Sequence, residues 1–141
     1  MKFGEKLARR LAGGGLWAHK RKTALILGLK GDLGAGKTTF VQGFFRGLGL
    51  KKRAPSPTFV IMRKHALKHR KFSKIFHVDA YRLKNASALK TLGFGDILSD
   101  PRNVVLIEWA DRAKKILPKD AVWLRFLHGK RENERHIIIS Q

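Results

Sequence analysis

The 141-residue sequence contains no cysteine. Disulfides, thiolate zinc sites, iron–sulfur clusters and a cysteine nucleophile are therefore excluded. A chain without thiols is compatible with a reducing compartment, and the cytoplasm is the expected location. No apolar run approaches the roughly 20 residues that span a bilayer, so no membrane role is expected. Carboxylates are scarce: ten Asp and Glu stand against 31 Lys and Arg, a formal net charge of +21. Between Asp32 and Asp79 there is no acid at all, while Lys and Arg occur 11 times. Charge on this scale favours polyanionic partners and says nothing by itself about fold. The hydrophobic fraction of 43% excludes a disordered basic tail and predicts a packed core. The length corresponds to a single domain over residues 1–141.

Residues 1–11 predict an amphipathic helix, with Phe3, Leu7 and Leu11 on one face. Its basic character also fits a transit peptide, but no Ser-rich or cleavage-like stretch follows, and a structural helix is the expectation. Residues 23–29 (TALILGL) read as a strand buried on both faces. Residues 37–48 predict a helix whose apolar face is Phe40, Val41, Phe44, Phe45 and Leu48. Strands are predicted over 58–62, 74–79 and 104–107, with a polar connection over 64–71. Short helices are predicted over 86–92 and 111–117, closed by Gly93 and Pro118. Residues 122–127 and 137–139 predict a terminal antiparallel pair. The alternation of strands and helices predicts an α/β fold: a mostly parallel sheet covered on both faces, with an antiparallel addition at one edge.

One motif carries chemistry directly. Residues 31–38 (GDLGAGKT) satisfy G-x-x-x-x-G-K-[ST], preceded by a buried strand and followed by an apolar-faced helix. The glycines let the backbone curl so that consecutive N–H groups converge on phosphate oxygens. The helix beginning at Lys37 adds its positive dipole end. In this pattern Lys37 reaches the β- and γ-phosphates and the Thr38 hydroxyl ligates Mg²⁺.

Two of the scarce acids, Asp79 and Glu108, end apolar strands. Ligands of open α/β sheets bind outside the carboxyl ends of the strands. Both acids therefore converge with the loop on one edge if their strands are parallel neighbours. Such an acid can hold Mg²⁺ through water or orient a hydrolytic water. Other residues carry weaker signals. The stretch Ser56, Pro57, Thr58, Phe59 reads as a turn before a strand, or as a mobile loop offering a hydroxyl to the γ-phosphate. His77 shares a strand face with Asp79, but a lone strand histidine reads as structural. Trp109 and Trp123 read as core or interface. The basic run 51–74 is open between solvated loop charge and a surface for RNA, including tRNA, or another partner.

Taken together, GDLGAGKTTF (31–40), SPTF (56–59), HVDAYRL (77–83), LG (92–93) and LIEWADR (106–112) resemble the TsaE (YjeE) family in order and spacing. The resemblance implies a P-loop NTPase fold and slow hydrolysis of ATP with Mg²⁺ as cofactor. It implies action with TsaB and TsaD homologues in forming threonylcarbamoyladenosine in tRNA, where TsaD performs the transfer. It implies Thr38 and Glu108 as magnesium positions, and Leu33, Gly34, Ala35, Gly36, Lys37, Thr38 and Thr39 as the phosphate loop. It implies a switch-like role for Thr58, a catalytic-site role for Asp79, and a nucleotide contact for Arg135. Typical members are less basic than this chain. A small-molecule kinase and a nucleic-acid-binding module with a vestigial loop are the alternatives that the residues leave open.

Overall fold

The computed structural model describes residues 1–15, 21–51, 57 and 60–141. Among these residues six strands, β1 (Leu25–Gly31), β2 (Met62–Ala66), β3 (Lys74–Asp79), β4 (Asn103–Glu108), β5 (Val122–His128) and β6 (Arg135–Ser140), form one sheet. Their order across the sheet is β2-β3-β4-β1-β5-β6. β3, β4, β1 and β5 run parallel, and β2 and β6 close the two edges antiparallel. The parallel core matches the predicted α/β class. The expected terminal antiparallel pair, β5–β6, is present at one edge; beyond the expectation, β5 also pairs parallel with β1, and the other edge is closed by a second antiparallel strand, β2.

The two central strands are apolar because both of their faces are covered. All of β4 is buried. Along β1, Leu25, Leu27 and Leu29 point into one core and Ile26 into the other, the period of two that a strand imposes. The first core lies under α1 (Lys2–Ala12) and α2 (Lys37–Gly47), which supply Leu7, Leu11, Phe40, Val41 and Phe44. The second lies under α3 (Ser87–Lys90), α4 (Phe94–Ser99) and a 3-10 helix (Ala110–Ile116), which supply Leu89, Phe94, Ala110 and Ala113. No helix among the described residues is long and apolar enough to cross a membrane.

Three local expectations change. The second strand is Met62–Ala66 rather than 58–62, so residues 64–66 of the predicted polar connection are strand. An edge strand tolerates this: Lys64 and Ala66 face solvent, and a lysine on an exposed edge discourages pairing with another chain. Residues 58–59 of that predicted strand lie outside the described residues. The predicted helix near 111–117 is a 3-10 helix, tightened by i→i+3 bonds from Arg112 N–H to Trp109 O and from Leu117 N–H to Lys114 O. The six-residue helix α4 has too little periodicity to be read in advance.

Helix α1 sits against α2 through small residues. A Cβ on Gly4 would run into the Phe40 carbonyl oxygen and come within 2.9 Å of the Phe44 backbone nitrogen. Helix propensity alone favours Gly4→Ala by about 1 kcal/mol. The close approach reverses the sign, and overpacking should cost about 1–3 kcal/mol. Urea denaturation of Gly4→Ala should show a lower midpoint at unchanged slope; a raised midpoint would contradict this helix contact.

Candidate functional site

The site begins where β1 leaves the sheet. Gly34 and Gly36 take φ of 75° and 98°, conformations that L side chains resist, and the backbone curls into α2. Helix α2 starts at Lys37 with no side-chain cap on Gly36 and no acid in its first turn. Its first N–H groups thus have no side-chain acceptor among the described residues. Leu33 is 85% exposed at the tip of the loop, Ala35 is buried beneath it, and Thr38 and Thr39 face outward.

Lys37 is buried along its length, with 5% of its surface exposed. Its ammonium donates to the carbonyls of Gly31 (2.5 Å) and Asp32 (2.8 Å). It also stands 4.0 Å from the centroid of the Trp109 ring, a cation–π contact. Burial pushes the Lys37 ammonium below the usual lysine pKa, while the carboxylates of Glu108, Asp32, Asp111 and Asp79 pull it back up. Four of the ten acids in a strongly basic chain therefore surround one lysine.

Glu108 closes β4 and is almost wholly buried. Both of its oxygens are occupied. Thr38 Oγ1 donates to Oε2 at 3.1 Å, and His77 Nε2 donates to Oε1 at 2.8 Å. A buried carboxylate needs such partners, since an unpaired one carries a large desolvation cost. His77 is 1% exposed, packed edge-on against Phe45, and its Nδ1 has no partner among the described residues. Asp79 lies in register with Glu108 on the neighbouring strand, so the two acids stand side by side at one edge. The Asp79 carboxylate is half-buried and accepts the Tyr81 N–H at 2.9 Å.

Arg135 reaches the loop from the start of β6. One guanidinium nitrogen donates to the Gly34 carbonyl at 3.3 Å, and the other is anchored on the carbonyls of Glu132 (2.6 Å) and Glu134 (2.8 Å). A cleft of about 480 Å³ opens beside it, lined by Phe3, Gly34, Thr39, Phe40, Asn133 and Arg135 among others. The structure thus brings Leu33 through Thr39, Asp79, Glu108 and Arg135 together. Thr58, with Ser56 and Phe59, lies outside the described residues. Two neighbours of these groups escaped the sequence reading. His77 was visible only as a histidine on the face of Asp79. Trp109 follows Glu108, but its left-handed backbone (φ 57°) is what turns the indole toward Lys37, and no sequence pattern announces that.

A buried parallel strand, a glycine loop running into a helix, and acids at the carboxyl edge of the neighbouring strands define the P-loop class of α/β proteins. The family model described as "Threonylcarbamoyl adenosine biosynthesis protein TsaE" matches residues 1–137. The chain belongs to the TsaE family. It is 34% identical over 119 residues to the tRNA threonylcarbamoyladenosine biosynthesis protein TsaE of Haemophilus influenzae, covering 84% of this chain and 70% of that protein. The Bacillus subtilis TsaE is 38% identical over 125 residues (89% and 75%), and that of Streptomyces coelicolor 33% over 142 residues (98% and 87%). The crystal structure of Bacillus subtilis YdiB superposes with a TM-score of 0.68 at 28% identity, covering 96% of this chain and 76% of that one.

The bond between His77 and Glu108 has a measurable consequence. His77→Phe keeps an aromatic ring beside Phe45 but strips one oxygen of a buried carboxylate of its donor. The expected loss is about 1–3 kcal/mol in urea denaturation. A double-mutant cycle with Glu108→Gln should return a coupling energy of at least about 0.5 kcal/mol. Additive losses would show that the two side chains do not interact.

Proposed function

We propose that this chain is a magnesium-dependent ATPase that serves threonylcarbamoyladenosine formation in tRNA, working in the cytoplasm with TsaB and TsaD homologues. The observation that carries the proposal is the hydrogen bond from Thr38 to Glu108 directly behind an uncapped helix start. It brings a hydroxyl and a carboxylate, both hard oxygen ligands suited to Mg²⁺, to the place where the loop offers N–H groups to phosphate. The donor set fits the ion. Thr38 and Glu108 would hold it, and bound Mg²⁺ would neutralise charge on the β- and γ-phosphates.

The remaining work belongs to the chain itself. The backbone of residues 33–39 would cradle the phosphates. Lys37 is fixed by two carbonyls and an indole face, so its charge is already oriented before a nucleotide arrives. Arg135, anchored on its own loop and lining the cleft, would contact the nucleotide from that side. Asp79 is less buried than Glu108 and has an oxygen free of the Tyr81 bond, which suits it to orient an attacking water. Thr58 is assigned a switch-like hydroxyl by family resemblance alone.

ATP turnover measured with and without TsaB–TsaD and tRNA tests the proposal. Stimulation by the partners, with no small acceptor required, is the expected result; turnover that depends on a small-molecule acceptor would mean a kinase. Lys37→Ala and Thr38→Ala should each weaken Mg-ATP binding in calorimetry by at least about 1.5–3 kcal/mol, the cost of a lost charge-assisted contact. Unchanged affinity in both would remove the phosphate-loop assignment. Glu108→Gln retains size and one acceptor. Nucleotide affinity should change little, and partner-stimulated hydrolysis should fall about 10²-fold or more. Wild-type turnover in Glu108→Gln would remove Glu108 from the hydrolytic machinery and leave Asp79 as its one acid.

A further inference from the structure

The sheet has two poles. Parallel strands put Asp79, Glu108 and the glycine loop at the carboxyl pole, and they put the starts of β1, β3, β4 and β5 at the other. β2 runs back from the first pole to the second, since Met62 pairs with Val78 and Ala66 with Lys74. The turn between β2 and β3 therefore forms a tip at the amino pole. Five residue steps along β3 separate Lys74 from Asp79, about 16 Å at the usual strand rise.

This tip is a built structure. Leu67 and Phe72 are buried and pin its two sides. The Leu67 N–H donates to the Ser73 carbonyl (2.8 Å), and the Ser73 N–H to the Arg102 carbonyl (2.9 Å). His69 Nδ1 accepts the backbone N–H groups of Lys71 (3.1 Å) and Phe72 (3.4 Å), and its ring stacks on Phe72. Lys68, Arg70, Lys74 and Arg102 project from this scaffold into solvent. The turn contains no acid, and the neighbouring Asp100 has one oxygen occupied by the Arg102 N–H.

We propose that Lys68, Arg70, Lys74 and Arg102 form a binding surface for the phosphate backbone of structured RNA, one that works independently of the nucleotide site. Exposed cations on a fixed turn, in a chain of +21, match a polyanion and steer its approach. Arg70 and Arg102 add bidentate contacts to phosphate. A lipid surface is a poorer match: among the described residues the exposed large apolar ones are Met1, Phe3, Leu33, Val60, Tyr81, Leu92 and Ile138, none of them on the tip, so it has nothing to insert. Base reading has little to work with: Phe72 is buried, the tip carries no Asn or Gln, and His69, its other ring, is only partly exposed and held against Phe72 with Nδ1 accepting two backbone N–H groups. The surface therefore reads charge and shape, and different folded RNAs should bind alike. This inference rests on charge and geometry, and it stands whether or not the chain hydrolyses ATP.

The test is binding of the full chain to labelled tRNA across a salt series. The triple variant Lys68→Glu, Arg70→Glu, Lys74→Glu alters only exposed side chains. Its control, Lys84→Glu, Lys130→Glu, Arg131→Glu, makes the same change in net charge elsewhere, and thermal melting confirms that both fold. The tip variant should bind tRNA at least tenfold more weakly at 100 mM salt, with the slope of log affinity against log salt reduced by about 2–3. The control should weaken binding less than threefold. Mg-ATP, or Lys37→Ala, should leave tRNA affinity within twofold. Equal weakening in both triple variants would replace the local surface by a whole-molecule charge effect. Wild-type tRNA binding by the tip variant, with loss of binding to TsaB–TsaD, would make the tip a protein contact. Competition between Mg-ATP and tRNA would overturn the separation of the two sites.

Discussion

A single buried carboxylate holds this architecture to its function. Glu108 is taken out of water at the end of the central strand β4, and it is tolerable there because two elements donate to it. Thr38 comes from the start of α2 and His77 from β3. The helix, the loop before it and the neighbouring strand are thereby tied to one point. Breaking either bond leaves a charged group short of a partner in a low-dielectric setting, a larger loss than a surface hydrogen bond would represent. The same bonds that satisfy the carboxylate also aim it at the glycine loop.

The second constraint is the contact between α1 and α2. Glycines at 4, 43 and 47 let the two backbones approach so closely that a Cβ at any of them would meet the other helix or the backbone at its start. The contact fixes the direction of α2, and with it the direction in which the first N–H groups of that helix point. A nucleotide site of the proposed kind depends on that direction, because backbone N–H groups cannot reorient without moving the helix. Lys37 is held in the same spirit, between two carbonyls and the face of Trp109. Its orientation is established by the fold ahead of any ligand.

Charge is distributed with the same economy. The chain has few acids, yet four of them lie close enough to Lys37 to counter the effect of burial on its pKa. The turn between β2 and β3, at the far end of the sheet, carries none. A parallel sheet naturally produces such poles, since every strand start lies at one end and every strand finish at the other. The proposed chemistry and the proposed RNA surface occupy opposite ends of one rigid element.

Much of this was legible in the residues. Apolar runs marked the buried strands β1, β3 and β4, because strands covered on both faces must be apolar along their length. The spacing of glycines before Lys37 and Thr38 marked the loop, because only that backbone chemistry converges on phosphate. Asp79 and Glu108 were conspicuous as acids at the ends of apolar runs. Sequence could not show that β2 is a basic edge strand, since an edge needs only one apolar face and its solvated residues read as loop. Nor could it show that His77 and Thr38, 39 positions apart, share the two oxygens of Glu108. Hydrogen-bond partners across strands follow from register, which is set by the packing of the whole sheet. The left-handed turn at Trp109 and the place of the β2–β3 turn at the amino pole have the same origin. Local composition determined the buried strands, the main helices and the place of the glycine loop. The tertiary structure decided which side chains meet, because that depends on contacts between residues far apart in the chain.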